Sequence, residues 1–264
     1  MAVAMLQDMS KCMACRACQV ACKEWNDLSA VTTTNRGTYE NPPALSPNTW
    51  TRIHFKEMTA SRDVRWSFFK QQCLHCGDAP CVRVCPTAAL KQNPMGFVSF
   101  EEEQCNGCGY CANFCPFGVP QISVSNTLTG HGKASKCTLC QDRVTSGLMP
   151  ACAKTCPTGA IQFGQRGDMI ALGQQRVADL KGKGFAEANL YGPGVLGGTG
   201  VMYVLPYKSA EYAALPANPQ SSMTAATLWQ NVLQPVGGLA IGLGAVGLAV
   251  NFVVASRHIK DEEG

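Results

Sequence analysis

The chain has 264 residues, a net charge of +4 from 22 basic and 18 acidic side chains, and 16 cysteines. That length supports one or two domains with hydrophobic cores, so the cysteines are not needed as disulfide staples. The charge is small and spread along the chain, which gives no case for nucleic-acid binding. No Ser/His/Asp arrangement, phosphate loop or metal-hydrolase motif is present.

The chain opens with "MAVAMLQDMSKC", which lacks the basic region and long apolar stretch of a secretory signal. All sixteen cysteines then fall into four sets of four: Cys12, Cys15, Cys18 and Cys22; Cys73, Cys76, Cys81 and Cys85; Cys105, Cys108, Cys111 and Cys115; Cys137, Cys140, Cys152 and Cys156. Sets one and three read C-x-x-C-x-x-C-x-x-x-C, the run that ligates 4Fe-4S clusters in two-cluster ferredoxins, where the fourth cysteine serves the neighbouring cluster. Sets two and four keep both end gaps but place four and eleven residues between their second and third cysteines. Cysteines three residues apart bridge poorly to one another. Four thiolates also make a structural zinc site, but a tetrahedral ion gains little from three thiolates on one tight loop. Proline follows the fourth cysteine at Pro86, Pro116 and Pro157, ending the turn; only Lys23 breaks the habit. Four variants of one motif form an internal repeat and predict four 4Fe-4S clusters.

Between the sets the sequence is less specific. Residues 23–72 hold the loop "NPPALSPN" and a predicted strand, "TWTRIHFKE", in which His54 reads as a packing residue. His75, inside set two, reads as a bystander beside four cysteines. The stretch "PTAALKQNPMGFVSFEEEQ" predicts a helical turn, a Pro-Met-Gly turn and a strand "GFVSF". His131, in "TGHGK", reads as loop. After set four, "PTGAIQFG" echoes the "PTAAL" after set two, and "GDMIALGQQRVADLKGKG" predicts an amphipathic helix capped by Asp168 and ending near Gly182 to Gly184. "GPGVLG" matches the dinucleotide fingerprint formally, but neither the preceding strand nor the following helix is expected, so it reads as a loop into the strand "VMYVLPY".

From Tyr212 to Ser256 no Asp, Glu, Lys, Arg or His occurs, and Val236 to Ala255 is almost continuously apolar. At about 1.5 Å per residue the latter spans roughly 30 Å, one bilayer core. Gly238, Gly242, Ala245 and Ala249 form a stripe of small residues on which another membrane helix could pack. Arg257 and Lys260 place the C-terminal tail in the cytoplasm and the cysteine-bearing part on the outer side. Clusters assemble on reduced thiols, so the expectation is export of the folded domain with a partner that bears a twin-arginine signal.

The crossing fourth cysteine makes the sets work in pairs. Adjacency joins set two to three, and the echo after set four joins one to four around them; spacing leaves the pairing of one with two and three with four open. The expected fold is α+β, with two ferredoxin-like two-cluster units, one nested inside the other. Residues 1–35 and 125–165 form the first unit and 66–124 the second, with loop-rich insertion and covering segments at 36–65 and 166–222. A transmembrane helix at 223–256 and a cytoplasmic tail at 257–264 follow. With four clusters and no catalytic group, the chain reads as a non-catalytic wire.

The segments "CMACRACQVACKEWNDL", "CGYCANFCPFGVPQI", "KCTLCQDRVTSGLMPACAKTCPTGAIQFG" and "GGTGVMYVLP", with the terminal anchor, resemble the iron-sulfur (beta) subunit of membrane-bound respiratory formate dehydrogenases over nearly the whole chain. The resemblance implies a heterotrimer, open to further oligomerisation, whose catalytic alpha subunit carries molybdenum or tungsten on a bis-pterin cofactor. Its gamma subunit is a membrane cytochrome b that passes electrons to quinone. It further implies four ligand sets: Cys12, Cys15, Cys18 and Cys156; Cys137, Cys140, Cys152 and Cys22; Cys105, Cys108, Cys111 and Cys85; and Cys73, Cys76, Cys81 and Cys115. The unit of sets one and four is expected to face the catalytic subunit. Rival readings are the electron-transfer subunit of a polysulfide, thiosulfate or dimethyl sulfoxide reductase or of a hydrogenase, and, more distantly, a zinc scaffold.

Overall fold

A computed structural model describes residues 2–60, 63–126, 131–212, 214–219 and 232–262. The chain divides into two compact units, residues 1–221 and 222–264.

The first unit is organised by a four-stranded sheet. Strand β1 (Val3–Asp8) pairs parallel with β10 (Val201–Leu205) and antiparallel with β8 (Ile161–Gln165), and β10 pairs antiparallel with β9 (Asn189–Tyr191). Both central strands are buried throughout. Strands covered on both faces read as continuous apolar runs, which is the pattern of "VAML" and "VMYVL". Side chains alternate across the pleat. Val3, Met5, Val201, Tyr203 and Leu205 face the core that holds the cysteines, while Ala4, Leu6, Met202 and Val204 face the long helix α6 (Arg166–Gly182). That helix covers the sheet with Met169, Ile170, Leu172, Val177 and Leu180. Its N-cap is Gln165, and Asp168 lies inside the first turn, where its charge suits the helix dipole, so the expected cap is displaced by three residues.

On the other side of the sheet lie short helices and, among the described residues, three hairpins. Helix α1 (Ala17–Trp25) packs on α5 (Ala151–Lys154), and α2 (Pro80–Arg83) packs on α3 (Tyr110–Asn113). A further short helix, α4 (Gln141–Thr145), follows the second cysteine of set four. The predicted strand at 49–57 appears as β2 (Arg52–Ala60), paired with β3 (Asp63–Gln71). The predicted helical turn at Pro86 is instead a turn leading into β4 (Leu90–Gln92), which forms a hairpin with β5 (Val98–Phe100). His131 opens strand β7 (His131–Ser135), paired with β6 (Gln121–Asn126), rather than lying in a loop. The divisions expected at 65/66 and 124/125 thus fall within β3 and β6.

The second unit contains helix α7 (Gln234–Glu262), in which Gln234–Phe252 is long and apolar enough to cross a membrane and no part of that window is buried. The expected start of this helix at 223 lies outside the described residues, as do residues 263 and 264.

Candidate iron-sulfur sites

The four cysteine sets share a local conformation that their sequences only partly share. The residue before the second cysteine is left-handed in every set: Ala14 (φ 56°), His75 (φ 51°), Gly107 (φ 73°) and Leu139 (φ 59°). Such a residue turns successive N–H groups toward one point, the geometry of an anion-binding nest. Within the set-four loop the Leu139 N–H reaches Cys137 Sγ at 3.4 Å, and from β7 the Ala134 N–H reaches Cys105 Sγ at 3.3 Å. The third cysteine then sits on a short helix, Cys18 on α1, Cys81 on α2, Cys111 on α3 and Cys152 on α5. The fourth lies four residues further: Cys22 is one turn along α1, about 6 Å along its axis, and Cys85, Cys115 and Cys156 lie just past the ends of α2, α3 and α5. The third and fourth thiols of each set line different cavities.

Four separate cavities result. The first is lined by Cys12, Cys15, Cys18 and Cys156, and the second by Cys22, Cys137, Cys140 and Cys152. The third is lined by Cys85, Cys105, Cys108 and Cys111, and the fourth by Cys73, Cys76, Cys81 and Cys115. All sixteen cysteines are free, and only Cys15 and Cys108 are exposed. Among the described residues no three His, Cys, Asp or Glu side chains close around a single ion. Tetrahedral zinc needs four thiolates converging at about 2.3 Å on one point, whereas a cubane takes one thiolate at each of four separated irons. The donor set of each cavity fits the latter.

Electrostatics agree. Burial pushes the Cys18, Cys22 and Cys81 thiols up to about 12 and those of Cys111 and Cys140 up to about 11. Crowded, desolvated thiols of this kind ionise when a cation joins them. Burial also raises Cys85, but hydrogen bonds led by the Leu90 backbone and the Thr87 hydroxyl outweigh it and hold this thiol below its usual value. The Cys-Pro-Thr repeat has a use here: Thr87 and Thr158 hydroxyls each lie 3.7 Å from the cysteine two residues back, Cys85 and Cys156. Neighbouring cavities feel one another. Cys18 is raised by Cys152, Cys137 by Cys73, and Cys81 by Cys111.

Three residues of this region carry roles that the cysteine pattern does not reveal. Lys70 on β3 is buried, lines both the first and second cavities, and its Nζ has no hydrogen-bond partner among the described residues. Burial lowers its pKa, but the surrounding thiols, Cys152 and Cys18 foremost, more than reverse this. Thr51 Oγ1, on the wall of the second cavity, is likewise buried without a partner. His75 is more than a bystander: it is fully buried, and its Nδ1 accepts the Val98 N–H at 3.1 Å, pinning the set-two loop to β5. The signal for Lys70 in sequence is faint, a lysine after two phenylalanines in "FFKQQC".

His54 packs as expected, with Nε2 2.8 Å from Gln71 Oε1 and the ring beside Phe69. The glycine-rich "GPGVLG" does follow a strand, β9, contrary to expectation, but itself contains the 3-10 turn Val195–Gly197 and is followed by β10 and not by a helix. Its backbone serves the set-two loop: Gly77 N–H donates to Gly198 O and Asp78 N–H to Leu196 O, both at 2.7 Å.

Two family models, each described as a 4Fe-4S dicluster domain, match residues 11–89 and 64–166. The formate dehydrogenase-O iron-sulfur subunit of Escherichia coli is 43% identical over 259 residues, covering 97% of this chain and 82% of that protein. The formate dehydrogenase iron-sulfur subunit of Haemophilus influenzae is 40% identical over 264 residues, 98% of this chain and 83% of that protein. Formate dehydrogenase 2 subunit beta (cytochrome c-553) of Nitratidesulfovibrio vulgaris is 40% identical over 196 residues, 71% of this chain and 87% of that protein. With sixteen cysteines in two dicluster domains, the chain belongs to the formate dehydrogenase iron-sulfur subunits, electron-transfer components that carry 4Fe-4S clusters.

Proposed function

We propose that this subunit relays electrons from a molybdenum- or tungsten-pterin catalytic subunit, through four 4Fe-4S clusters, to a membrane cytochrome b and quinone. The observation that carries the reading is the sorting of sixteen cysteines into four cavities in which the fourth cysteine of each set lines the cavity of another set. A bound 4Fe-4S cluster takes up and returns single electrons. The chain holds such a group by thiolates, directs N–H donors at those thiolates and keeps water from the interior cavities.

The ligand sets follow the cavities: Cys12, Cys15, Cys18 and Cys156; Cys22, Cys137, Cys140 and Cys152; Cys85, Cys105, Cys108 and Cys111; Cys73, Cys76, Cys81 and Cys115. The packing of α1 on α5 and of β1 on β8 supports a unit built from sets one and four, and that of α2 on α3 supports a second from sets two and three nested within it. The thiol neighbours support an order of first, second, fourth and third cavity, with Cys15 and Cys108 exposed at its ends. The first cavity then takes electrons from the catalytic subunit and the third passes them toward the membrane. Helix α7 anchors the chain once, with its tail cytoplasmic and the cluster unit outside, after export with the folded partner.

Cys22→Ser tests the grouping. The spectroscopic signal that changes with Cys22→Ser should also change with Cys140→Ser and remain unaltered in Cys12→Ser; agreement of Cys22 with Cys12 instead would overturn the assignment. Protease added to intact spheroplasts should digest the cluster unit, and protection until the inner membrane is broken refutes the outer placement.

A further inference from the structure

We infer that Lys70 is a shared counter-charge for the first two clusters, a positioning residue that sets their reduction potentials together. The inference rests on the ligand grouping proposed above and adds a residue that contributes no ligand.

Lys70 has an unusual place for a lysine. The residue is 1% exposed, and a buried ammonium without a partner costs several kcal/mol unless an anion compensates it. No carboxylate forms an ion pair with it among the described residues, and its Nζ makes no hydrogen bond there. What surrounds it is the cysteine wall of two cavities, with Cys12, Cys15, Cys18 and Cys156 on one side and Cys22, Cys137, Cys140 and Cys152 on the other. The residue is also held in place. Its carbonyl accepts the buried Tyr203 hydroxyl at 3.0 Å, and its backbone pairs with Ile53, whose own N–H reaches Gln19 of α1 at 2.9 Å. A 4Fe-4S centre with four thiolates is anionic and gains a further negative charge on reduction. A fixed cation between two such centres favours the reduced form of each and screens one from the other. Neither the third nor the fourth cavity has a lysine in its wall.

The test is redox titration of the assembled complex, followed by the electron paramagnetic resonance of each cluster and by iron content, with signals assigned through Cys22→Ser and Cys12→Ser. Lys70→Met should lower the midpoints of those two clusters, changing the reduced-to-oxidised ratio at a fixed potential at least tenfold, which is 59 mV for one electron. The other two midpoints should stay, and Lys70→Arg should recover the native values. Unchanged midpoints with full iron, or an equal shift of all four, would overturn the inference while leaving the ligand grouping intact. Signals for Cys22 and Cys12 that coincide would instead refute the grouping. If Lys70→Met and Lys70→Gln both lose iron, loss of the two clusters alone with recovery in Lys70→Arg supports the counter-charge, and loss of all four refutes it.

Discussion

The indole N–H of Trp25 donates to the Asp142 carboxylate at 2.9 Å, joining the end of α1 to the start of α4 across 117 residues of sequence. The same ring lies under the Arg143 guanidinium, 4.2 Å from its centroid. Trp25 and Asp142 each lie close in sequence to a cysteine of the second cavity, Cys22 and Cys140. The contact therefore closes the two ends of the unit over that cavity, in parallel with the crossing of Cys22 itself.

Trp25→Phe should remove the hydrogen bond and keep the ring, at about 0.5 kcal/mol for a solvent-exposed pair. Trp25→Ala should also lose the Arg143 contact, worth roughly 0.5–1 kcal/mol more. The cluster of the second cavity should bleach faster under an iron chelator in the order native, Phe, Ala. Equal rates in all three would show that the clamp does not guard this cavity.

The backbone approach at Gly77 gives a sharper outcome. A Cβ there would stand 2.6 Å from Gly197 O and 2.8 Å from Gly198 O, both backbone atoms that cannot step aside as a side chain would. Gly77 follows Cys76 directly, and Cys76 itself bridges to Thr199. Gly77→Ala should therefore disturb the fourth cavity, with iron falling by about one quarter and loss of one cluster signal. Gly167→Ala, in the first turn of α6, is the useful control, because nothing lies within 4 Å of its Cβ position and its backbone is helical. Full iron in Gly77→Ala would show that the glycine-rich segment does not support this loop.

These contacts mark where sequence stops being informative. The cysteine repeat is legible because ligand chemistry fixes residue type and spacing together, and the apolar run of α7 because an uncharged stretch of that length stands out from composition alone. The hairpin of β4 and β5 is half legible, since "GFVSF" has strand character while "ALKQ" does not. The central sheet is hidden because β1 and β10 come from opposite ends of the unit and each is too short to announce its partner. Lys70 is hidden for another reason: a lysine in a strand ordinarily reads as a solvent-facing residue, and only the fold turns it inward between two cavities.

His54 supplies a pH dependence. Burial, aided by the charge of Arg52, lowers its pKa against the opposing effects of Gln71 and Glu40, so the folded hairpin of β2 and β3 favours the neutral ring. The unfolded chain protonates first, near pH 6.5. The stabilising contribution is thus complete above that pH and is lost as pH falls through the depressed folded value. Between pH 7.5 and 5.5 the native chain should lose more of this hairpin's hydrogen-exchange protection than His54→Gln does, and parallel losses in the two would exclude His54 as the cause.

The helix of the second unit can be tested apart from the clusters. Residues 222–264 form their own compact unit, and the window Gln234–Phe252 has no buried share. Fused to a soluble reporter, this segment should carry it into the membrane fraction and resist extraction at alkaline pH. Leu243 lies near the centre of the window, where arginine costs about 2.5–3.5 kcal/mol on insertion scales. Leu243→Arg should release much of the reporter, whereas Leu243→Ala should not. Release of the unaltered fusion by the alkaline wash would mean that this helix lies on a surface and does not span a bilayer, and the anchoring role would pass to the partner subunits.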